Sequence, residues 1–553
     1  MTDTLNISLA QINPVVGDIV GNVERLRQAR LDAAKCGADL VVTSELVVCG
    51  YPPEDLVFRP IVNDTIQREI EALARETVDG GPAMLVGSPW RDNEDLYNAV
   101  LLLDRGQISA VRFKHDLPNY GVFDEKRIFR SGPLPGPISF RGVRLGVMIC
   151  EDMWTDEVAE CLDESGAEIL VVLNGSPYQQ DKWDTRINLA AARAIECRMP
   201  LIYVNQVGGQ DELVFDGASF VLGADASLRV QAPAWDESLI KTIWSRNGNT
   251  WVCDEGEKSS PPDGDMAIYS AMVLGLRDYV TKSGFPGVLI GMSGGVDSAL
   301  TAAVAVDALG PNQVHCVMMP SPFTSQESLE DAAEACRLLG VPLDSISIEP
   351  AMKAFEEMLS ETFAGTEAGT AEENVQARSR GLTLMALSNK TGAMVVSTGN
   401  KSEMSVGYAT LYGDMCGGYS VLKDVYKTKV FQLCHWRNAN LSTRFLGPGG
   451  RVVPENIIVK PPTAELKPDQ KDADNLPPYE QLDAILKELN EGDLGVDDLE
   501  KEGHDRALVL SVWRMLLGAE YKRRQAPPGV KITGRSFGRD RRYPIVNAFR
   551  GRA

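Results

Sequence analysis

Residues 293–298 read Ser-Gly-Gly-Val-Asp-Ser, and the residues on either side fix what that hexapeptide belongs to. The apolar run at 287–292 has the length of a buried strand, and residues 297–306 (DSALTAAVAV) read as a helix. Strand, glycine turn and helix in succession let the backbone approach an anion closely, with the free amides of the helix start pointing at it. Ser293 and Ser298 add hydroxyl donors. Asp297 repels phosphate, so its presence is explained by a Mg²⁺ ion between them. The Gly-Lys-Ser/Thr ending of a Walker loop is absent, and so is the G-x-G-x-x-G dinucleotide pattern.

The chain around this loop alternates strands, such as 313–319 and 393–397, with helices. That pattern predicts a doubly wound parallel sheet over residues 266–553, with ligands beyond the carboxyl ends of its strands. Residues 1–245 also alternate strand-like runs (5–10, 40–43, 142–150) with helical stretches (22–36, 187–198), so a second α/β domain is expected there. Residues 246–265 are expected to link the two, because 254–265 (DEGEKSSPPDGD) is acidic and rich in Ser, Pro and Gly. Residues 361–373 and 446–476 read as loops. From Tyr521 onward ten Lys and Arg face a single Asp, which predicts a basic arm closing over a polyphosphate.

A net charge of −22 on 553 residues argues against nucleic acid and anionic membranes as partners. The amino-terminal stretch lacks the basic and apolar pattern of a signal peptide, and no apolar run is long enough to span a bilayer. Ten cysteines without C-x-x-C pairs fit a reducing cytoplasm better than a disulfide framework.

Three segments of the amino-terminal half hold candidate chemistry: Ser44-Glu45-Leu46 after a strand, residues 114–126 (KHDLPNYGVFDEK), and Cys150-Glu151-Asp152 after another strand. A cysteine at a strand end can present its sulfur to a cleft, but it needs a base and a stabilising cation. Of the four histidines only His115 lies in this half, so the base is His115 or a glutamate with a lysine partner.

In their order and context the three segments resemble the nitrilase superfamily of amidases, which use a Glu-Lys-Cys triad. The resemblance implies an αββα sandwich, with Cys150 as nucleophile, Glu45 as general base and Lys114 as oxyanion stabiliser. Glu125 matches a second acidic position that supports the lysine. The 293–298 loop is similar to the pyrophosphate loop of synthetases that adenylate a substrate, which implies a Rossmann-like ATP-pyrophosphatase domain. An amidase followed by such a synthetase resembles the family of glutamine-dependent NAD⁺ synthetases. Further matches in order include 373–380 (ENVQARSR), 397–403 (STGNKSE), 460–465 (KPPTAE) and 521–524 (YKRR).

That family resemblance implies a carbon–nitrogen ligase that amidates deamido-NAD⁺ through an adenylated carboxylate, using ATP, Mg²⁺ and ammonia released from glutamine. It puts glutamine near Tyr120, Glu151, Ser176 and Lys182. It puts ATP on Gly291, Met292, Ser293, Gly294, Gly295, Val296, Asp297 and Ser298, and near Thr398 and Lys427. Deamido-NAD⁺ falls near Asn374, Glu403 and Lys522. Asp297 and Glu403 are the candidate metal ligands, although either alone is an ordinary solvated or paired carboxylate. The large amidase-like domain also implies a homo-oligomer. Two alternatives stand beside this reading: a ligase acting on a different carboxylate, and an amidase with an inactive nucleotide-sensing module.

Overall fold

The computed structural model describes residues 3–248, 250–467 and 470–549. They form two compact units that divide between Gly264 and Asp265. The segment expected as a linker is therefore partly structural. Strand Thr250–Cys253 pairs antiparallel with Ser238–Asn247, and Lys258 bridges to Gln231. The reason is local: Trp251 and Cys253, two residues apart, share one face of the strand and bury against the first unit's core, whatever the acidic residues after them do.

The first unit contains two large sheets. One runs Thr250–Cys253, Ser238–Asn247, Thr4–Gln11, Leu40–Val42, Ala83–Asp92, Asp95–Asp104, Gln107–Phe113. The other runs Leu228–Gln231, Phe220–Leu222, Leu201–Asn205, Ile169–Asn174, Val143–Ile149, Ile138–Phe140. The central strands Leu40–Val42, Ile169–Asn174 and Leu201–Asn205 are buried along their whole length because both faces are covered. Leu5, Ile7, Leu9, Leu40 and Val42 of the first sheet meet Leu145, Val147, Ile149, Ile169 and Val171 of the second in one core. The alternate residues face outward under helices. Val41, Met84 and Val86 pack with Val23, Leu26, Ile66 and Ile70 of helices Ile19–Lys35 and Pro60–Glu76. Met148, Leu170 and Val172 pack with Val158, Leu162, Ala190 and Ala194 of helices Glu157–Glu164 and Lys182–Glu196. The result is the expected αββα sandwich.

The second unit is built on five parallel strands ordered Leu343–Ser345, Val314–Met318, Val288–Gly291, Met394–Ser397, Tyr419–Ser420. Taken in chain order this is 3-2-1-4-5, so the chain reverses direction across the sheet beside Val288–Gly291. The crevice at such a reversal is where open sheets bind ligands. The loop expected to hold phosphate leaves from this strand and feeds helix Val296–Leu309. Of the two stretches expected as loops, 446–476 carries the short helices Glu455–Val459 and Asp472–Asp474, with residues 468 and 469 outside the described residues. Among the described residues no helix is long and apolar enough to cross a membrane.

Candidate active sites

Glu45, Lys114 and Cys150 each follow the end of a strand, Leu40–Val42, Gln107–Phe113 and Val143–Ile149 respectively. Cys150 is buried and has a φ of 45°, a left-handed backbone that a non-glycine residue holds only under constraint from its surroundings. Lys114, fully buried, donates to Glu45 Oε1 at 2.7 Å and to both oxygens of Glu125 at 3.0 Å. Glu45 also accepts from Asn98 Nδ2 at 2.7 Å and from the Gly175 amide at 2.8 Å. Tyr51 donates to Glu125 at 2.9 Å. Burial pushes Glu125 up, while Lys114 opposes the shift. The carboxylates hold Lys114 firmly cationic against its burial. Burial, and then the charge of Glu45, push the Cys150 thiol well above its ordinary value, with Lys114 pulling the other way. Both upward effects favour the thiol over the thiolate at Cys150. His115 is spent differently: its ring Nδ1 meets the Gly132 carbonyl at 2.7 Å.

Asp152 holds together the segments that carry Lys114 and Cys150. Its Oδ1 accepts from the amides of His115 and Asp116 at 3.0 and 2.8 Å, and its Oδ2 from Ile149 at 3.0 Å. Burial raises its pKa to about 6, opposed by those amides.

The four expected glutamine contacts differ in kind. Tyr120 is half-exposed and donates to both oxygens of Glu151 at 3.1 Å. Lys182 opens helix Lys182–Glu196, with its ammonium 5.7 and 5.8 Å from the ring centres of Phe123 and Trp154. Ser176 is buried and already committed. Arg186 donates from Nε to Ser176 Oγ at 3.1 Å, from Nη2 to the carbonyls of Ser176 and Pro177 at 2.8 Å, and from Nη1 to Asp216. Arg186 and Asp216 thus fix the turn that presents Ser176. Asn98, Tyr51, Arg186 and Asp216 do not stand out in the sequence, and Asp152 stands out only as part of segment 150–152, without its bridging role. Asn98, a buried amide in the otherwise apolar centre of Asp95–Asp104, was the one readable signal.

Replacing Lys114 by methionine should leave two buried carboxylates without their cation, a loss of about 3–5 kcal/mol for a broken buried pair. The expected result is a lower melting temperature for the amidase unit. On the oxyanion role that the family resemblance implies for Lys114, the residual folded enzyme should release glutamate about 10²–10³-fold more slowly, the usual cost of one oxyanion donor.

In the second unit one cavity takes in Gly291–Ser298, Thr398, Glu403 and Lys427. The loop is preformed by its own serines: Ser298 Oγ donates to the Gly295 carbonyl at 2.9 Å, and the Gly295 amide donates to Ser293 Oγ at 3.2 Å. Gly294 has a φ of 79°, and a Cβ there would lie 2.3 Å from the Ser328 carbonyl oxygen, so no other residue fits. Asn400 is the N-cap of helix Lys401–Val406. Its Oδ1 accepts from the Glu403 amide at 3.0 Å, and its Nδ2 donates to Asp297 Oδ1 at 2.9 Å. Lys427 is paired with Asp297 and lies 3.4 Å from Glu403 Oε1. Burial and the charge of Asp297 push Glu403 up, while Lys427 resists. Asp297 and Glu403 present two hard oxygen donors of the kind that would hold a divalent ion.

The remaining expected contacts flank the cavity. Asn374 Oδ1 accepts from Thr410, which lines it, at 2.9 Å. Lys522 donates to the carbonyls of Gly407 and Ala409 at 2.7 Å. The basic arm does not lie free to close over a polyphosphate. Arg523 donates to the carbonyls of Met404 and Ser405, Lys531 pairs with Asp540, Arg535 with Asp493 and Arg541 with Glu520. Carbonyls at a helix end attract cations, and those of helix Lys401–Val406 take up the arm's first charges. Lys401 in that helix is fully buried between Asp424, Glu491, the Thr533 hydroxyl and the Arg535 carbonyl.

Residues 6–246 match the family model of carbon-nitrogen hydrolases, and residues 268–526 that of NAD synthase. The glutamine-dependent NAD(+) synthetase of Rhodobacter capsulatus is 48% identical over 550 residues, covering 100% of both chains. That of Thermotoga maritima is 41% identical over 99% of both. The structure of the Acinetobacter baumannii glutamine-dependent NAD+ synthetase, in complex with adenosine diphosphate, superimposes with a TM-score of 0.78 at 42% identity and covers 100% of both chains.

Proposed function

The chain belongs to the family of glutamine-dependent NAD⁺ synthetases, and from that membership we propose how its two units divide the reaction. The first releases ammonia from L-glutamine. Glu45 takes the thiol proton of Cys150 as the sulfur attacks the carboxamide carbon, and the oxyanion forms against the Lys114 ammonium. Glu45 returns the proton to the departing ammonia, then draws one from the water that cleaves the thioester to glutamate and hands it to the Cys150 sulfur as that leaves. Tyr120, Glu151, Ser176 and Lys182 hold the amino acid, the ammonium of Lys182 meeting its carboxylate as a point charge.

The second unit amidates deamido-NAD⁺. A carboxylate oxygen of the nicotinate bonds to the α-phosphorus of ATP as the bond to the β-phosphate oxygen breaks. Ammonia then displaces AMP, leaving the amide. The loop Gly291–Ser298, Thr398 and Lys427 orient ATP, while Asn374, Glu403 and Lys522 contact the dinucleotide. Asp297 and Glu403 would hold Mg²⁺, which neutralises charge on the leaving pyrophosphate. The observation that carries this reading is the meeting of Asp297, Lys427 and Glu403 beside a preformed phosphate loop. The enzyme works as a cytoplasmic homo-oligomer.

The test is a product balance with glutamine, ATP, Mg²⁺ and deamido-NAD⁺. NAD⁺, AMP and pyrophosphate should appear in equal amounts, with glutamate at least equal to NAD⁺. AMP formed only with some other carboxylate would overturn the substrate assignment. Glutamate release without AMP would leave an amidase with a sensor.

A further inference from the structure

Transfer of AMP to a carboxylate expels pyrophosphate, whose charge rises as the electron pair of the breaking bond leaves with it. The phosphate loop meets that anion with amides and hydroxyls, but its one ionised side chain, Asp297, has the wrong sign. Lys427 is bonded to Asp297 and reaches Glu403, so its charge is largely spent on the acidic side of the site. Two other cations line the same cavity, Arg380 and Lys460. Arg380 donates from Nε to the Met319 carbonyl at 3.1 Å, and Glu465 and Asp414 are the carboxylates that act on its charge.

Lys460 is placed by the phosphate loop's own neighbour. Its Nζ donates to Ser328 Oγ at 2.6 Å, and the Asp331 carboxylate lies 3.7 Å away. Ser328 is in the first turn of helix Gln326–Leu339, and its carbonyl oxygen packs on Gly294 of the loop. The same Ser328 hydroxyl and that of Ser325 donate to Glu465 Oε1 at 2.7 and 2.8 Å, so both ends of the turn 460–465 are tied to that helix. An ammonium has three donors, and one hydroxyl uses one of them.

We propose that Lys460 is a pyrophosphate-binding residue: tethered through Ser328 beside the phosphate loop, its ammonium engages the β- and γ-phosphates of ATP and stays on the departing pyrophosphate. Arg380 supports the same anion from the strand side. The proposal rests on the adenylation reading above.

The full-length enzyme with ammonium as nitrogen donor isolates this site from the amidase. In Lys460→Met the dissociation constant of inorganic pyrophosphate, measured by calorimetry, should rise about tenfold or more, the loss of one charge-assisted contact. The KM for ATP should rise with it, the KM for deamido-NAD⁺ should stay within about twofold, and Lys460→Arg should recover most of the loss. A second measurement needs no variant: saturating pyrophosphate should protect Lys460 of the native enzyme from acetylation, read by peptide mass spectrometry. Pyrophosphate affinity within twofold of native in Lys460→Met, or unprotected acetylation of Lys460, would overturn the assignment. A native enzyme that binds pyrophosphate with Lys460 protected, yet forms no AMP with deamido-NAD⁺, would instead sink the substrate reading alone.

Discussion

An enzyme carrying Cys150→Ala will make NAD⁺ from ammonium at the native rate and almost none from glutamine. Loss of a catalytic nucleophile removes the thioester route outright, a fall on the order of 10⁴-fold or more in glutamate release. The substitution is mild for the fold. Alanine tolerates the positive φ at 150 about as poorly as cysteine, so the strain is unchanged, and the vacated space is one sulfur atom. The hydrogen bonds of Lys114 to Glu45 and Glu125 do not pass through the thiol and should survive. The paired assay is decisive: glutamine hydrolysis near native would remove Cys150 from the triad, and lost ammonium-driven synthesis would mean the two sites are not separable.

Asp297→Asn will have the complementary effect, impairing synthesis from glutamine and from ammonium alike. The amide keeps the size of the side chain but removes the charge that pairs with Lys427 and accepts from Asn400. Losing one electrostatic contributor to a developing charge costs about 10²–10³ in rate. The defect should deepen as Mg²⁺ is lowered, because Glu403 alone is left as an acidic ligand. Glutamate release, measured separately, should persist. Normal AMP formation from ammonium at limiting Mg²⁺ would take Asp297 out of the metal site.

Much of this arrangement was readable in the chain because it is local. The expected strand 313–319 is Val314–Met318, and 393–397 is Met394–Ser397. The loop 293–298 carries its own serine bonds, so six consecutive residues specify its shape. What sequence reasoning missed lies in contacts between distant segments. Arg186 and Asp216, 30 residues apart, meet under Ser176, and nothing in an amphipathic helix marks one of its arginines as buried. Thr250–Cys253 was hidden by the acidic composition after it, which outweighed a four-residue strand. The basic arm misled for the opposite reason. Its charge was visible, but its partners were not: some, such as the carbonyls of Met404 and Ser405, are backbone atoms that composition cannot report, and others, such as Asp493 and Glu520, are carboxylates outside the last stretch of the arm.

The tethering of helix Lys401–Val406 by residues 522–535 bears on the order in which the chain is made. The first unit can complete its seven-stranded sheet once Thr250–Cys253 has joined Ser238–Asn247, and Glu45, Lys114 and Cys150 all precede that point in the chain. The helix that carries Glu403 must wait until Arg523, Thr533 and Arg535 leave the ribosome, some 280 residues later by translation. In chain order, then, the residues proposed to release ammonia are made before those that tie down the helix carrying Glu403.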